Sequence, residues 1–338
     1  MKRLFMVAMA AVGLLASCSK DESEIINSTA GAVVNVSFAE DTTTRAFFSS
    51  TATAESWEKE LNRVTMFIFN PTGELLVQRE FGQAELASRK ATFALPNVTP
   101  GTECRFYAVA NYDVGSVTCL DDLEAVLEDA PEKYNGTFAD VTTKALRSGG
   151  FVMSGHTSQV VAAAGSATNV SINLKRTVAK VAVQVTPSVA FGTLYQGAIR
   201  VNNISISRSA SESYVVASQA VRAPIAMEYE SVQASNKASG AYQNLFYIFE
   251  NEGQNTGNRV LMTIDATYDM DGDFSSPAGQ SSMTYEVEVS GSAAGEILRN
   301  GYYRIDITVN GLSGSDATMS ITPAEWESPV TQSVEIGA

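Results

Sequence analysis

Histidine and basic residues are scarce in this chain of 338 residues. The one histidine, His156, excludes hydrolytic and metal mechanisms that need two imidazole groups. Lys and Arg number 23 against 37 Asp and Glu, and the formal net charge of -14 argues against nucleic acid as a partner. Apart from the N-terminus, no apolar run approaches the roughly 20 residues that a membrane-spanning helix needs.

Motifs that carry chemistry are also missing. There is no GxxxxGK[ST] phosphate loop and no GxSxG nucleophile elbow. Asp269, Asp271 and Asp273 are spaced as in a calcium loop, but Phe274 and Gln280 stand where that loop needs glycine and glutamate. We predict a solvated hairpin tip here, with weak calcium binding as the alternative. No catalytic site, metal site or cofactor is predicted, so we expect no enzymatic activity.

The first eighteen residues have the pattern of a bacterial lipoprotein signal. Lys2 and Arg3 precede the apolar segment Leu4–Ala16, which is too short to span a membrane, and Leu-Ala-Ser-Cys forms a lipobox that ends at Cys18. This predicts cleavage before Cys18, lipid acylation of its thiol and anchoring to the outer membrane. A buried cysteine is the alternative. Residues 19–24, SKDESE, resemble the export tag of Bacteroidetes surface lipoproteins, or else form a solvated linker.

Two further cysteines, Cys104 and Cys119, would lie in an oxidising compartment. Their separation along the chain permits a disulfide, but the sequence does not give the distance between their Cα atoms. A disulfide and two free buried thiols are both open.

The body of the chain shows alternating apolar and polar residues with frequent turn signals, which is typical of antiparallel β structure. A strand, a turn and a second strand are predicted over residues 64–77, and an amphipathic helix over 120–129. We place a domain boundary near residue 175. Further strands are predicted at 105–111, 169–174, 175–185, 203–207, 245–250, 259–268, 284–289 and 302–310.

Four sequence segments resemble the fimbrillin superfamily of Bacteroidetes, the FimA and Mfa type of pilin. They are FYAVAN (106–111), LKRTVAKVAVQV (174–185), YIFEN (247–251) and RNGYYRIDITVNGL (299–312). The resemblance implies an all-β chain of two tandem transthyretin-like β-sandwich domains with short helical insertions, at residues 46–174 and 175–338. It also implies that residues 19–45 are removed when an arginine-specific protease cuts the lipoprotein precursor after its first strand.

Arg45 and Ala46, in TTTRAFFSS (42–50), stand where the resemblance places that cut. A basic side chain fits the acidic pocket of such a protease, and a threonine-rich segment can adopt the extended form that proteases bind. An ordinary surface arginine is the alternative.

Residues 32–39 read as a strand with Val34, Val36 and Phe38 on one face. If a cut at Arg45 released this strand, it would leave a groove with apolar walls and unpaired backbone groups, and both are costly in water.

Residues 326–336 at the C-terminus alternate in a similar way. One face carries Trp326, Val330, Val334 and Ile336, and eleven residues of strand reach roughly 35 Å, enough to line the edge of a sandwich in a neighbour. Pro329 restricts its own position to an edge or a bulge. We predict a donor strand that enters the groove of another subunit, which gives an open head-to-tail filament.

The predicted function is a fimbrial shaft subunit for cell adhesion, which reaches the cell surface as an outer-membrane lipoprotein precursor. Its partners are other pilin subunits, the protease and, before the cut, the membrane. An anchor or tip subunit is one alternative. Another is a tethered glycan-binding lipoprotein that stacks sugars on Trp57, Tyr302, Tyr303 or Trp326.

Overall fold

The computed structural model describes residues 31–37, 54–96, 98–162, 166–217, 223–251, 259–289, 296–313 and 317–325. Strands dominate these residues and the helices are short, so the predicted all-β class with helical insertions is confirmed. Among the described residues, no helix has the length and apolar character needed to cross a membrane.

The described residues of the first half of the chain form nine strands: β1 Gly31–Ser37, β2 Val64–Phe69, β3 Leu75–Glu80, β4 Lys90–Pro96, β5 Glu103–Ala110, β6 Leu127–Glu128, β7 Met153–Val160, β8 Ala167–Ser171 and β9 Lys175–Arg176. The described residues of the second half form ten: β10 Val178–Pro187, β11 Ala198–Ser209, β12 Ser213–Tyr214, β13 Tyr229–Ala234, β14 Asn236–Ala238, β15 Ala241–Phe249, β16 Val260–Asp269, β17 Gln280–Val289, β18 Gly301–Val309 and β19 Ala317–Glu325. The helices are α1 Gln83–Ser88, α2 Leu120–Glu124, α3 Phe138–Val141 and α4 Val189–Leu194, with 3-10 turns at Ser56–Glu58 and Pro131–Tyr134.

Two sheets of the N-terminal half enclose the first core. One has the order β3-β2-β5-β7-β9 and the other has the order β4-β1-β8. Alternate side chains of both sheets point into one apolar cluster that includes Val34, Phe93, Phe106 and Val170. This follows from the strand period of two, which turns every second side chain to the same face.

The hairpin predicted over residues 64–77 is confirmed as β2 and β3. Its turn is built by Asn70, whose Oδ1 accepts hydrogen bonds from the backbone N–H groups of Thr72 at 3.0 Å and Glu74 at 2.9 Å. Gly73 completes the turn with a φ of 86°. Residues that carry a side chain rarely adopt this conformation.

Two sheets of the C-terminal half enclose a second core. Their orders are β14-β15-β10-β18-β19 and β13-β11-β16-β17, and β10 runs parallel to β18. Val181, Val183 and Val185 of β10 point into this core. On the opposite face of β10, Val178 and Ala182 belong to the first core, so this sheet is covered on both sides and joins the halves.

The prediction of one strand over residues 175–185 is wrong in one respect. β9 pairs with β7 of the first half, whereas β10 begins at Val178 and pairs with β15 and β18 of the second half. The chain therefore changes sheets at Thr177, whose hydroxyl donates a 2.8 Å hydrogen bond to the buried Glu128 carboxylate.

The prediction of a helix over residues 120–129 is also only partly right. The helix α2 ends at Glu124, and the chain then turns so that β6 pairs with β12 from the C-terminal half. The backbone N–H of Val215 donates to the carbonyl of Val126 at 2.9 Å. Tertiary pairing has thus overridden the helical periodicity of this segment.

Candidate functional site

The strand β1 lies between β4 and β8 in the three-stranded sheet. It pairs antiparallel with β4, where Asn35 lies opposite Thr92, and parallel with β8, where Asn35 lies opposite Asn169. The strand predicted at residues 32–39 is therefore present, although its described part ends at Ser37 and Phe38 lies outside the described residues. The parallel pairing with β8 was not predicted from the sequence.

The two faces of β1 differ sharply in burial. Val34 is 0% exposed and Val36 is 1% exposed, whereas Val33, on the other face, is 42% exposed. Both buried valines belong to the first core, together with Leu95 of β4 and Cys104 of β5. β1 thus fills a slot in the core with two branched side chains at consecutive inward positions.

The outer face of this sheet carries a short row of polar side chains. The Thr92 hydroxyl donates to Asn35 Oδ1 at 2.9 Å, and Asn35 Nδ2 donates to Asn169 Oδ1 at 3.5 Å. These contacts cross all three strands of the sheet. The repeated polar residues at alternate positions of KATFALP and ATNVS are a sequence signal that could have identified β4 and β8 as strands with one polar face.

An open pocket of about 370 Å³ lies beside this polar row, lined in part by Asn35, Thr92, Asn169, Lys90 and Glu85. Glu85 is already engaged, because both of its oxygens accept hydrogen bonds from Arg79 at 2.8 Å. Burial alone would raise the pKa of Glu85, but the Arg79 guanidinium and the Gly82 N–H lower it overall. Lys90 forms no ion pair within the described part of the chain.

The segment 38–53 is the covalent link between β1 and the rest of the chain, and it contains Arg45 and Ala46. Both residues lie outside the described residues, as do Cys18 and the tail residues Trp326, Val330, Val334 and Ile336. Their roles remain predictions.

The chain that follows this link is fixed to the C-terminal half by a buried ionic cluster. Lys180 Nζ lies 2.8 Å from Glu58 Oε1, and the Tyr247 hydroxyl donates to the same oxygen at 2.5 Å. Arg176 Nε donates to the backbone carbonyl of Glu58 at 2.8 Å, and its Nη1 donates to Asn300 Oδ1 at 2.9 Å. The segment around Glu58 is thus held to the C-terminal half by contacts that do not involve β1.

Two further ion pairs, both largely buried, each lie within one half of the chain. Glu128 accepts from Arg147 Nε at 2.9 Å and from the Tyr134 hydroxyl at 2.6 Å, in addition to Thr177. Arg299, of the C-terminal half, pairs with Glu250 and also donates to the carbonyls of Tyr214 and Val215.

The disulfide considered for Cys104 and Cys119 is not formed, and both thiols are free. Cys104 points into the first core, whereas Cys119 precedes α2, whose Leu120 and Leu123 belong to an apolar cluster on the other side of the β3-β2-β5-β7-β9 sheet. The sheet therefore lies between Cys104 and the side chains of Leu120 and Leu123 that follow Cys119. Burial raises the pKa of the Cys104 thiol.

The other candidates from the sequence, His156 and the acidic residues 269–273, make contacts that stabilise the fold. His156 stacks on Tyr107 with ring centroids 5.0 Å apart. The acidic residues 269–273 begin the loop between the paired strands β16 and β17, as expected for a hairpin, and Asp269 Oδ1 accepts from the N–H groups of Asp271 and Gly272. Within the described ranges, no group of three or more His, Cys, Asp or Glu residues is arranged to hold a metal ion.

Solved structures with the same fold come from fimbrial and adhesion proteins. A candidate cell adhesion protein from Bacteroides eggerthii is 18% identical, with a TM-score of 0.58 over 87% of this chain and 96% of that one. A C-terminally truncated tip fimbrial protein from Porphyromonas gingivalis is 16% identical, with a TM-score of 0.55 over 88% and 99%. A fimbrial assembly protein from Parabacteroides distasonis is 12% identical, with a TM-score of 0.52 over 86% and 94%. Among curated proteins, none matches this chain.

The fold is thus one that fimbrial proteins use. Residues 32–184 match the family model described as Major fimbrial subunit protein (FimA), and the predicted resemblance to the fimbrillin superfamily is thereby confirmed. This match favours a structural role in cell-surface fimbriae, in contact with other fimbrial subunits.

Proposed function

We propose that this protein is a shaft subunit that polymerises by strand exchange after a cut at Arg45 has released β1. In the precursor, β1 occupies the groove between β4 and β8 and blocks assembly. After the cut, the C-terminal tail of another subunit takes its place.

The observation that carries this proposal is the position of β1 as the central strand of its sheet. Its loss would leave backbone donors and acceptors of β4 and β8 without partners, and would open the core at Val34 and Val36. Each valine contributes roughly 1.5–3 kcal/mol when it is buried. An empty groove of this kind favours the entry of another strand with the same alternation.

Export as a lipoprotein is supported by the sequence alone. Cys18 would carry the lipid that anchors the precursor to the outer membrane, and an arginine-specific protease would then separate residues 19–45 from the body. Because lipid and β1 lie on the same side of Arg45, one cut would detach the subunit from the membrane and empty its groove.

The donor segment would be residues 326–336, with Trp326, Val330, Val334 and Ile336 on its apolar face. A tail that enters the next subunit, whose own tail enters a third, makes a contact that never closes on itself. The product is a filament. An anchor subunit would instead be expected to keep its lipidated segment.

A tethered glycan binder is less well supported. Tyr302 and Tyr303, two of the aromatic residues considered for sugar stacking, are each 3% exposed and so offer no stacking surface. Trp326 lies outside the described residues.

The test is the purified chain from Ser19 onward, treated with an arginine-specific protease, in the wild type and in Arg45→Ala and Arg45→Lys variants. We expect the wild type to begin at Ala46 by mass spectrometry and to form ladders on a gel. Both variants should keep β1 and stay monomeric, and Arg45→Lys separates the loss of the cut from the loss of the charge. Ladders from uncut Arg45→Ala, or a wild type that is cut at Arg45 and stays monomeric, would refute the proposal.

A further inference from the structure

The groove imposes a specific requirement on any strand that replaces β1. Val34 and Val36 are both essentially inaccessible to solvent and lie two residues apart, so a replacement must supply two apolar side chains at consecutive inward positions. Between them, at the place of Asn35, it must supply an outward side chain that tolerates the polar neighbours Thr92 and Asn169.

The C-terminal tail meets this requirement in one register. On the face that carries Trp326, the successive residues are Trp326, Ser328, Val330, Gln332, Val334 and Ile336. Val334 and Ile336 are the single consecutive pair in which both members are apolar. Every other placement puts Ser or Gln into a dry position, or uses the other face, where the residues are Glu327, Pro329, Thr331, Ser333 and Glu335, and leaves a polar group desolvated.

We propose that Glu335 of the donor tail takes the place of Asn35, with Val334 and Ile336 in the two buried positions of Val34 and Val36. This inference rests on the proposed strand exchange and defines its register. Glu335 stands at the centre of the pair, so the assignment is the same for either direction of the incoming strand.

The chemistry of the outer face suits a carboxylate at this place. The Thr92 hydroxyl already donates to the side chain at this position, and the Asn169 side-chain amide has N–H groups that can do the same. Lys90, which lines the adjoining pocket and forms no ion pair within the described ranges, adds a positive charge on the same side. An incoming glutamate thus meets two hydrogen-bond donors and a cation.

The register also accounts for the position of Pro329. Proline lacks the N–H that a central strand donates. Pro329 is six residues from Glu335, whereas the described part of β1 runs from Gly31 to Ser37, four residues before Asn35 and two after it. In either direction, therefore, Pro329 falls beyond the pairing that the described residues of β1 make.

Disulfide trapping tests the register. In a Cys119→Ser background, Thr92→Cys is combined in turn with Thr331→Cys, Ser333→Cys or Glu335→Cys, and each chain is cut, allowed to assemble and mildly oxidised. Residues directly opposite across strands have Cβ atoms about 4.5–5.5 Å apart, but those displaced by two residues are about 7–8 Å apart. We expect a covalent ladder on a non-reducing gel for Glu335→Cys and none for the other two variants.

Each outcome decides a different point. A ladder at Ser333→Cys or Thr331→Cys would overturn the register while leaving strand exchange intact. Filaments that form without any ladder would overturn the inference, because the tail would then not lie beside Thr92. If the cut parent chain forms no filaments at all, the proposed function fails, and this inference fails with it.

A second measurement does not depend on cysteine substitutions. Val334→Ser removes one of the two buried side chains, whereas Val330→Ser changes the same residue type outside the two buried positions. We expect the assembly constant to fall about tenfold or more for Val334→Ser, by the loss of one buried valine, and to fall by a smaller factor for Val330→Ser. Equal losses, or a larger loss for Val330→Ser, would contradict the register.

Discussion

Lys180 and Glu58 form a fully buried ion pair between the two halves of the protein. The ammonium lies 2.8 Å from one carboxylate oxygen, and the two side chains are 1% and 0% exposed. Glu58 lies at the start of the body, shortly after the link to β1, and Lys180 lies in the central strand β10 of the second half. The pair therefore holds the start of the body against the C-terminal sheet through a contact that does not involve β1.

Removing one partner of this pair should destabilise the whole body. Lys180→Met leaves the Glu58 carboxylate buried without its nearest cation, and we expect the free energy of unfolding to fall by about 3–5 kcal/mol in urea titrations. The exposed pair Arg208–Glu288, with side chains 51% and 49% exposed, provides the control. Arg208→Met should cost about 0–1 kcal/mol. Equal effects of both substitutions would show that burial does not increase the contribution of the Lys180–Glu58 pair to stability.

The same cluster predicts a dependence of stability on pH. Burial alone would raise the pKa of Glu58, but the charges of Lys180 and Arg176 outweigh it and lower the pKa below the ordinary value of 4.5. A carboxylate with a lowered pKa stabilises the fold above its unfolded pKa, and this contribution is lost as the pH falls through the folded value. The stability advantage of the wild type over Glu58→Gln should thus be full above about pH 4.5 and shrink below it.

Glu128 provides a comparison within the same protein, because its pKa is shifted in the opposite direction. Its burial raises its pKa, and hydrogen bonds from Tyr134 and the charge of Arg147 offset this only in part. Relative to Glu128→Gln, the wild type should therefore lose stability as the pH rises through the folded pKa of Glu128. Urea titrations of both variants between about pH 3 and 7 measure the two trends, and trends of the same sign would contradict these assignments.

The docking of β1 can be tested on its two faces separately. Val34→Asp places a charge in the first core and should expel the strand without any cut, whereas Val33→Asp changes a residue that is 42% exposed on the outer face. Cys104, which shares the core with Val34 and is 0% exposed, reports the opening through its reaction with a thiol reagent in a Cys119→Ser background. We expect rapid labelling in Val34→Asp and slow labelling in Val33→Asp and the wild type.

Circular dichroism shows whether the body remains folded in Val34→Asp. A folded Val34→Asp variant whose Cys104 stays unreactive would contradict the view that β1 alone covers this part of the core.

The sequence predicted the fold class well because strand alternation and turn signals are local. The hairpin turn at Asn70 and the two-faced strand around Val34 and Val36 needed no tertiary information. The break at Thr177 and the early end of α2 at Glu124 could not be predicted in the same way. Both arise where the halves meet, and there the pairing of β9 with β7 and of β6 with β12 outweighs local propensity.

The candidate site was predicted in part. Alternation identified the buried face of β1 but not its neighbours, since pairing order does not follow from periodicity. The Thr92, Asn35 and Asn169 row and the Glu58–Lys180 pair join residues far apart along the chain. Such contacts depend on the register between strands, which a single sequence does not specify.

The wall of the groove formed by β8 depends on a glycine in the sheet beneath it. After β8 the chain crosses to β9 in the other sheet and passes close to Gly155 of β7. A Cβ atom on Gly155 would lie 2.0 Å from the carbonyl oxygen of Asn173. Ile172 and Leu174, on either side of Asn173, are both 0% exposed, so the passing backbone has little room to move. Gly155 thus allows the close approach that positions β8.

Gly155→Ala should therefore destabilise the protein by about 1–3 kcal/mol in urea titrations, because the added methyl group collides with backbone that is fixed on both sides. It should also speed the labelling of Cys104, since a displaced β8 loosens its pairing with β1. Gly192→Ala in α4 is the matched control, because a Cβ there meets nothing within 4 Å. That substitution should leave stability unchanged or raise it by about 0.5–1 kcal/mol through helix propensity. If Gly155→Ala unfolds at the same urea concentration as the wild type, the close approach does not hold β8 in place.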